Sequence, residues 1–126
     1  MFKILVVEDN DLFRQTLMDS LKQQFPLFAI DEARDGKEAI VKTGTFLPDL
    51  IFMDIRLPGA SGLELTKEIK FANPEVIIVI ITSYDLSEYK EKATSSGASF
   101  FLPKISLTEE KITEIVKRFS SECDRS

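Results

Sequence analysis

Leu50-Ile51-Phe52-Met53-Asp54 is a run of four apolar residues closed by a carboxylate. The run reads as a short buried strand, because the loop Ile55-Arg56-Leu57-Pro58-Gly59-Ala60-Ser61-Gly62 follows at once. A carboxylate at the C-terminal tip of a buried strand packs nothing. Three other apolar runs end in equally polar cargo. Glu8-Asp9 follows Ile4-Leu5-Val6-Val7, Thr82-Ser83 follows Val76-Ile77-Ile78-Val79-Ile80-Ile81, and Lys104 comes soon after Phe100-Phe101-Leu102. Acids, a hydroxyl and an amine at four strand tips make a site if those strands lie side by side.

Between the strands the spacing turns helical. Strands are expected at 3–7, 27–33, 49–53, 76–81 and 99–102, and helices at 11–24, 36–45, 62–72, 85–96 and 107–121. Phe13, Leu17 and Leu21 recur at helical spacing before Pro26. Ala39 and Ile40 mark the second helix, and Leu65, Ile69 and Ala72 the third, which Pro74 closes. The fourth has only Leu86, Tyr89 and Ala93 against many polar residues and stops at Gly97; the fifth shows Ile112, Ile115, Val116 and Phe119. Met18 and Met53 read as core. Phe28 and Ile30 beside Asp31 and Glu32 suit a sheet edge.

Strands alternating with helices predict an α/β fold, a five-stranded parallel sheet with helices on both faces. The flavodoxin-like, doubly wound order 2-1-3-4-5 puts the half-polar second strand at an edge and the other four side by side. Their C-terminal tips then form one ridge, with strands ~4.8 Å apart. Asp9 and Asp54 fall on adjacent strands, and Lys104 can reach across from two strands away.

With 126 residues, of which 44% are hydrophobic, one domain over 1–120 can bury a core unaided. Residues 121–126 read as a polar tail or linker stub. No apolar run approaches the ~18 residues of a membrane span, and no signal-peptide pattern opens the chain. The lone Cys123 has no internal partner and suits a reducing cytoplasm. A net charge of −5 argues against direct nucleic-acid binding. The absence of histidine excludes histidine-based acid–base catalysis on this chain.

Glu8, Asp9 and Asp54 in one crevice place like charges at a costly distance, which a divalent cation relieves. All-oxygen ligands favour Mg²⁺ (or Mn²⁺) over zinc. A carboxylate beside such a cation can attack phosphorus and form an aspartyl phosphate. Thr82 can donate a hydrogen bond to a phosphoryl oxygen, and Lys104 can neutralise another.

At these residues the chain resembles the receiver domain of two-component response regulators. The match runs from Val6-Val7-Glu8-Asp9 through Met53-Asp54 to Gly62, Ile81-Thr82-Ser83 and Phe101-Leu102-Pro103-Lys104. The resemblance implies that Asp54 takes a phosphoryl group from the phosphohistidine of a sensor histidine kinase or phosphotransfer protein. It implies that Glu8 and Asp9 help hold Mg²⁺, that the backbone carbonyl of Arg56 completes the coordination, and that Thr82 and Lys104 contact the phosphoryl group. Phe101 matches an aromatic rotamer switch, here without the commoner tyrosine hydroxyl. The family implies a cytoplasmic signalling domain, not an enzyme in the ordinary sense, that promotes its own phosphorylation and dephosphorylation. Output is expected on the face of helix four, strand five and helix five, through a homodimer or an effector contact; the chain reads either as a stand-alone receiver or as one cut at the tail from a longer regulator. Ile105 stands where many members carry a cis proline, so a trans bond is expected there.

Each residue alone has a plainer role. Asp54 could cap a turn, Glu8-Asp9-Asn10-Asp11 and Thr82-Ser83 could cap helices, Lys104 could be a solvated surface lysine and Phe101 core. Their convergence on one edge favours the site. A flavodoxin-type flavin carrier would need a small polar loop where Glu8-Asp9-Asn10-Asp11 stands. A haloacid-dehalogenase-type phosphatase would need aspartate at Arg56. The remaining alternative is a degenerate receiver, an unphosphorylated interaction module, and the full set of Asp9, Asp54, Thr82 and Lys104 argues against it.

Overall fold

The structure, a computed structural model, describes residues 1–83 and 86–124. Strands β1 (Lys3–Val7), β2 (Ala29–Ala33), β3 (Leu50–Asp54), β4 (Ile77–Thr82) and β5 (Phe100–Pro103) form one sheet. All four pairings are parallel, and the order is β2-β1-β3-β4-β5. The helices are α1 (Asp11–Gln24), α2 (Gly36–Thr45), α3 (Gly62–Ala72), α4 (Leu86–Ser96) and α5 (Glu109–Asp124). This is the doubly wound α/β fold that the alternation predicts.

The period-2 geometry of a strand explains why the central strands are apolar throughout. Leu5, Val7, Ile51, Met53, Ile78 and Ile80 point to one face and pack with Ala39 of α2, Leu65 and Ile69 of α3 and Ala93 of α4. Ile4, Val6, Leu50, Phe52, Val79 and Ile81 point to the other and meet Leu17, Met18 and Leu21 of α1 and Ile112, Ile115, Val116 and Phe119 of α5. One sheet thus carries two cores. Met18 and Met53 are both buried, whereas Ile40 and Ala72 lie on the exposed sides of their helices.

Element ends differ from the expected ones for local reasons. Residues before Ala29 form a turn, closed by the Phe28 amide donating to the Phe25 carbonyl at 3.1 Å, so β2 starts later than residue 27. Lys104–Ser106 forms a 3₁₀ turn, which delays α5 to Glu109. At its other end α5 continues through Asp124, so residues expected in a polar tail begin as helix. The loop after Asp54 contains a two-residue antiparallel ladder, Arg56–Leu57 with Ala60–Ser61. Gly59 turns it with a φ of +69°, a conformation that favours glycine. The Lys104–Ile105 bond is trans, as are the other described peptide bonds. The side chains of Leu86, Tyr89 and Cys123 lie outside what the structure describes.

Candidate functional site

Strand register assembles the site. Val7 is level with Met53, so the residues that follow them, Glu8 and Asp54, emerge side by side. Asp54 is level with Ile81 and Thr82 with Pro103, which brings the end of β4 and the start of the Lys104 turn to the same edge. Asp54 is the last residue of β3, and Thr82 the last of β4. A polar cap and a glycine shape the crevice. Asn10 accepts from the Phe13 amide at 2.9 Å and so starts α1 directly after Asp9. Gly62 starts α3 against the back of the site: a Cβ there would stand 1.9 Å from the Asp54 carbonyl oxygen. Only glycine allows that approach.

Glu8, Asp9 and Asp54 each present a carboxylate oxygen within 4.8 Å of the others. Glu8 and Asp54 are buried and Asp9 is exposed, so the cluster opens to solvent on one side. Lys104 bridges it. Its ammonium lies against Glu8 Oε1 and 3.5 Å from Asp54 Oδ2, with only 15% of the side chain exposed. Glu8 Oε1 has this cation beside it but no well-aligned hydrogen bond, so a fully buried carboxylate oxygen retains acceptor capacity. Three oxygen donors of this kind fit a small, hard divalent cation such as Mg²⁺ better than zinc, whose usual histidine or thiolate ligands are not among them.

The electrostatics point the same way. The Asp54 carboxyl is pushed up to about 8, first by burial, then by its hydrogen bond to Glu8 and the charges of Glu8 and Asp9, with Lys104 opposing. Burial pushes Glu8 up too, but Asp54 and Lys104 outweigh it, and its carboxyl lies below the usual range. Two buried carboxylates this close favour sharing a proton. A cation bound at the cluster would compete with it.

The remaining expected residues are close by in the fold. Thr82 is fully buried at the tip of β4. Arg56 is exposed, in the ladder directly after Asp54 and Ile55. Phe101 is half-buried on β5, level with Ile80, and packs on the sheet face covered by α2, α3 and α4.

Two residues beside the site go beyond the sequence reading. Arg14 is buried; its guanidinium donates to the Glu8 carbonyl at 2.9 Å, to Asp11 at 2.5 Å and to Glu32 at 3.3 Å. It ties the tip of β1 to α1 and β2. Its signal was present, since it falls three, four and seven residues before Leu17, Met18 and Leu21, on the apolar stripe of α1. Phe13, expected only as core, is half-buried and places its ring 4.8 Å from the Lys104 ammonium.

Residues 4–117 match the family model of the response regulator receiver domain. The chain belongs to that family. It is 36% identical over 104 residues, 82% of its length, to the transcriptional regulatory protein LnrK of Bacillus subtilis, of which the match covers 47%. A two-component response regulator from Clostridium difficile superposes with a TM-score of 0.88 at 29% identity, over 96% of this chain and 97% of that one. The response regulator TrrA of Thermotoga maritima, solved in complex with Mg²⁺–BeF, superposes with a TM-score of 0.82 at 34% identity, over 94% and 99% of the two chains. This receiver domain spans 27% to 57% of the length of the curated relatives set beside it. Among its described residues, no helix is long and apolar enough to cross a membrane.

Proposed function

We propose that this receiver domain accepts a phosphoryl group on Asp54 from the phosphohistidine of a sensor kinase or phosphotransfer protein, in a Mg²⁺-dependent reaction. The observation that carries the reading is the meeting of Glu8, Asp9, Asp54 and Lys104 at one sheet edge. Glu8, Asp9 and Asp54, with the Arg56 carbonyl, would hold the cation. When bound, Mg²⁺ neutralises the acidic crevice and the charge that develops on the transferring phosphoryl oxygens.

The chain's own groups do the rest. Asp54, once its proton has left, offers a carboxylate oxygen to phosphorus; a P–O bond forms as the donor's P–N bond breaks. Lys104 turns its ammonium to a phosphoryl oxygen, and the Thr82 hydroxyl donates to another. The reaction is self-promoted phosphorylation and later hydrolysis within a signalling domain, working in the cytoplasm. Phosphorylation is read out on the α4–β5–α5 face. Thr82 drawn toward the new anion frees space under α4 that the Phe101 ring can enter, burying itself by packing alone. That face then binds a second copy or an effector domain.

Acetyl phosphate with Mg²⁺ tests this reading. Intact-mass analysis is expected to show one added phosphoryl group that hydroxylamine removes, with none in chelator. A chain that stays unmodified would support the degenerate-receiver alternative instead.

A further inference from the structure

The Lys104 ammonium has neighbours of two kinds. On one side are the carboxylates of Glu8 and Asp54; on the other is the ring of Phe13, 4.8 Å away from the nitrogen to the centroid. A cation within ~6 Å of an aromatic face is attracted by the ring quadrupole, more strongly where water is excluded. Lys104 is mostly shielded, so that condition holds.

The ring itself is anchored. Phe13 lies in the first turn of α1, its amide capped by Asn10, and its ring packs against the core that α1 and α5 share. Lys104 enters from the 3₁₀ turn that precedes α5. Leu107, which caps the turn, packs on the same core and holds its backbone, while Ile105 is almost fully exposed. The long lysine side chain still pivots from that turn, so its own contacts decide where the ammonium sits. Unlike the two carboxylates, Phe13 does not compete with an incoming phosphoryl group for the ammonium's hydrogen bonds.

We infer that Phe13 is a positioning residue for Lys104: its ring face holds the ammonium at the mouth of the acidic crevice, ready to swing onto a phosphoryl oxygen. The inference rests on the proposed phosphoryl transfer to Asp54. Without the ring, the lysine side chain samples solvent-directed rotamers, and the reactive arrangement is populated less often.

Phe13→Leu keeps an apolar side chain in the helix and removes the π face; Phe13→Tyr keeps the face. In NMR spectra of the protein without phosphodonor, the Lys104 Cε protons are expected upfield of ordinary lysine, in wild type and Phe13→Tyr but not in Phe13→Leu. Phosphorylation by acetyl phosphate at saturating Mg²⁺ is expected to slow about three- to thirtyfold in Phe13→Leu, the span from an exposed to a desolvated cation–π contact, and to stay near wild type in Phe13→Tyr. Ordinary Lys104 shifts in the wild type, or equal rates in all three proteins, would overturn the inference while leaving the proposed function standing. Equal losses in both variants would assign Phe13 a packing role only and overturn it too. A wild type that gains no phosphoryl group would remove both.

Discussion

At the residue scale, burial and the neighbouring Glu8 favour the protonated form of Asp54, the form that would be least suited to the proposed attack on phosphorus. Its carboxyl is raised from an ordinary 3.8 to about 8, chiefly by burial, then by Glu8. The folded chain therefore keeps a proton that the unfolded chain releases near pH 4. Stability then falls as pH rises from about 4 to about 8, because the folded state binds more protons across that window. The lowered Glu8 acts in the opposite sense, and its contribution is lost only as pH falls below its ordinary 4.5. Asp54→Asn stays neutral at every pH, so it should be more stable than wild type at pH 8, by about 1–2 kcal/mol. It should also flatten the decline between pH 5 and 8. Urea melts across that range check both; an unchanged slope would contradict the burial of this charge. Mg²⁺ should compete with the same proton, so its affinity should rise with pH until about 8.

At the scale of elements, much of the arrangement was legible because a parallel sheet turns sequence order into spatial order. Once the five apolar runs are strands, the tips carrying Glu8-Asp9, Asp54, Thr82 and Lys104 must share an edge. Contacts that depend on three-dimensional approach were not legible in that way. Phe13 fits the helical stripe as core, and nothing local says that Lys104 arrives over its ring. The closeness of Gly62 to the Asp54 carbonyl depends on how α3 returns to the sheet. Helix ends also shifted, where a 3₁₀ turn after Lys104 and a continued last turn of α5 replaced the expected limits. Arg14 joins α1, β1 and β2 through one buried guanidinium. Arg14→Met keeps much of its volume but strips the Glu8 carbonyl of its donor. It should cost about 1–3 kcal/mol, and it should weaken Mg²⁺ binding through the loosened Glu8–Asp9 turn. Denaturant melts and a Mg²⁺ titration check this; a loss of stability without any loss of affinity would limit Arg14 to the fold.

At the scale of the molecule, the two faces of the sheet differ in how they are held. The α1 and α5 face is closed by Leu17, Met18, Leu21, Ile112, Ile115, Val116 and Phe119, all buried. On the other face, the sequence of α4 offers only Leu86, Tyr89 and Ala93 against many polar residues, and Ala93 is buried in the core. A weakly anchored element shifts at low cost. Beryllofluoride with Mg²⁺, as a stand-in for the phosphoryl group, should therefore change amide exchange most in 83–105. If the largest changes fall in α1 or α2, the output face is misplaced.

Asp54 is proposed as the one residue that receives the phosphoryl group. Borohydride reduces an aspartyl phosphate to homoserine, which peptide mapping by mass spectrometry locates directly. After treatment with acetyl phosphate and Mg²⁺, homoserine is expected at position 54 and at no other acidic position, and nowhere when the cation is chelated. Homoserine at Asp9 or Glu8, or persisting elsewhere in Asp54→Asn at the wild-type yield, would contradict the account.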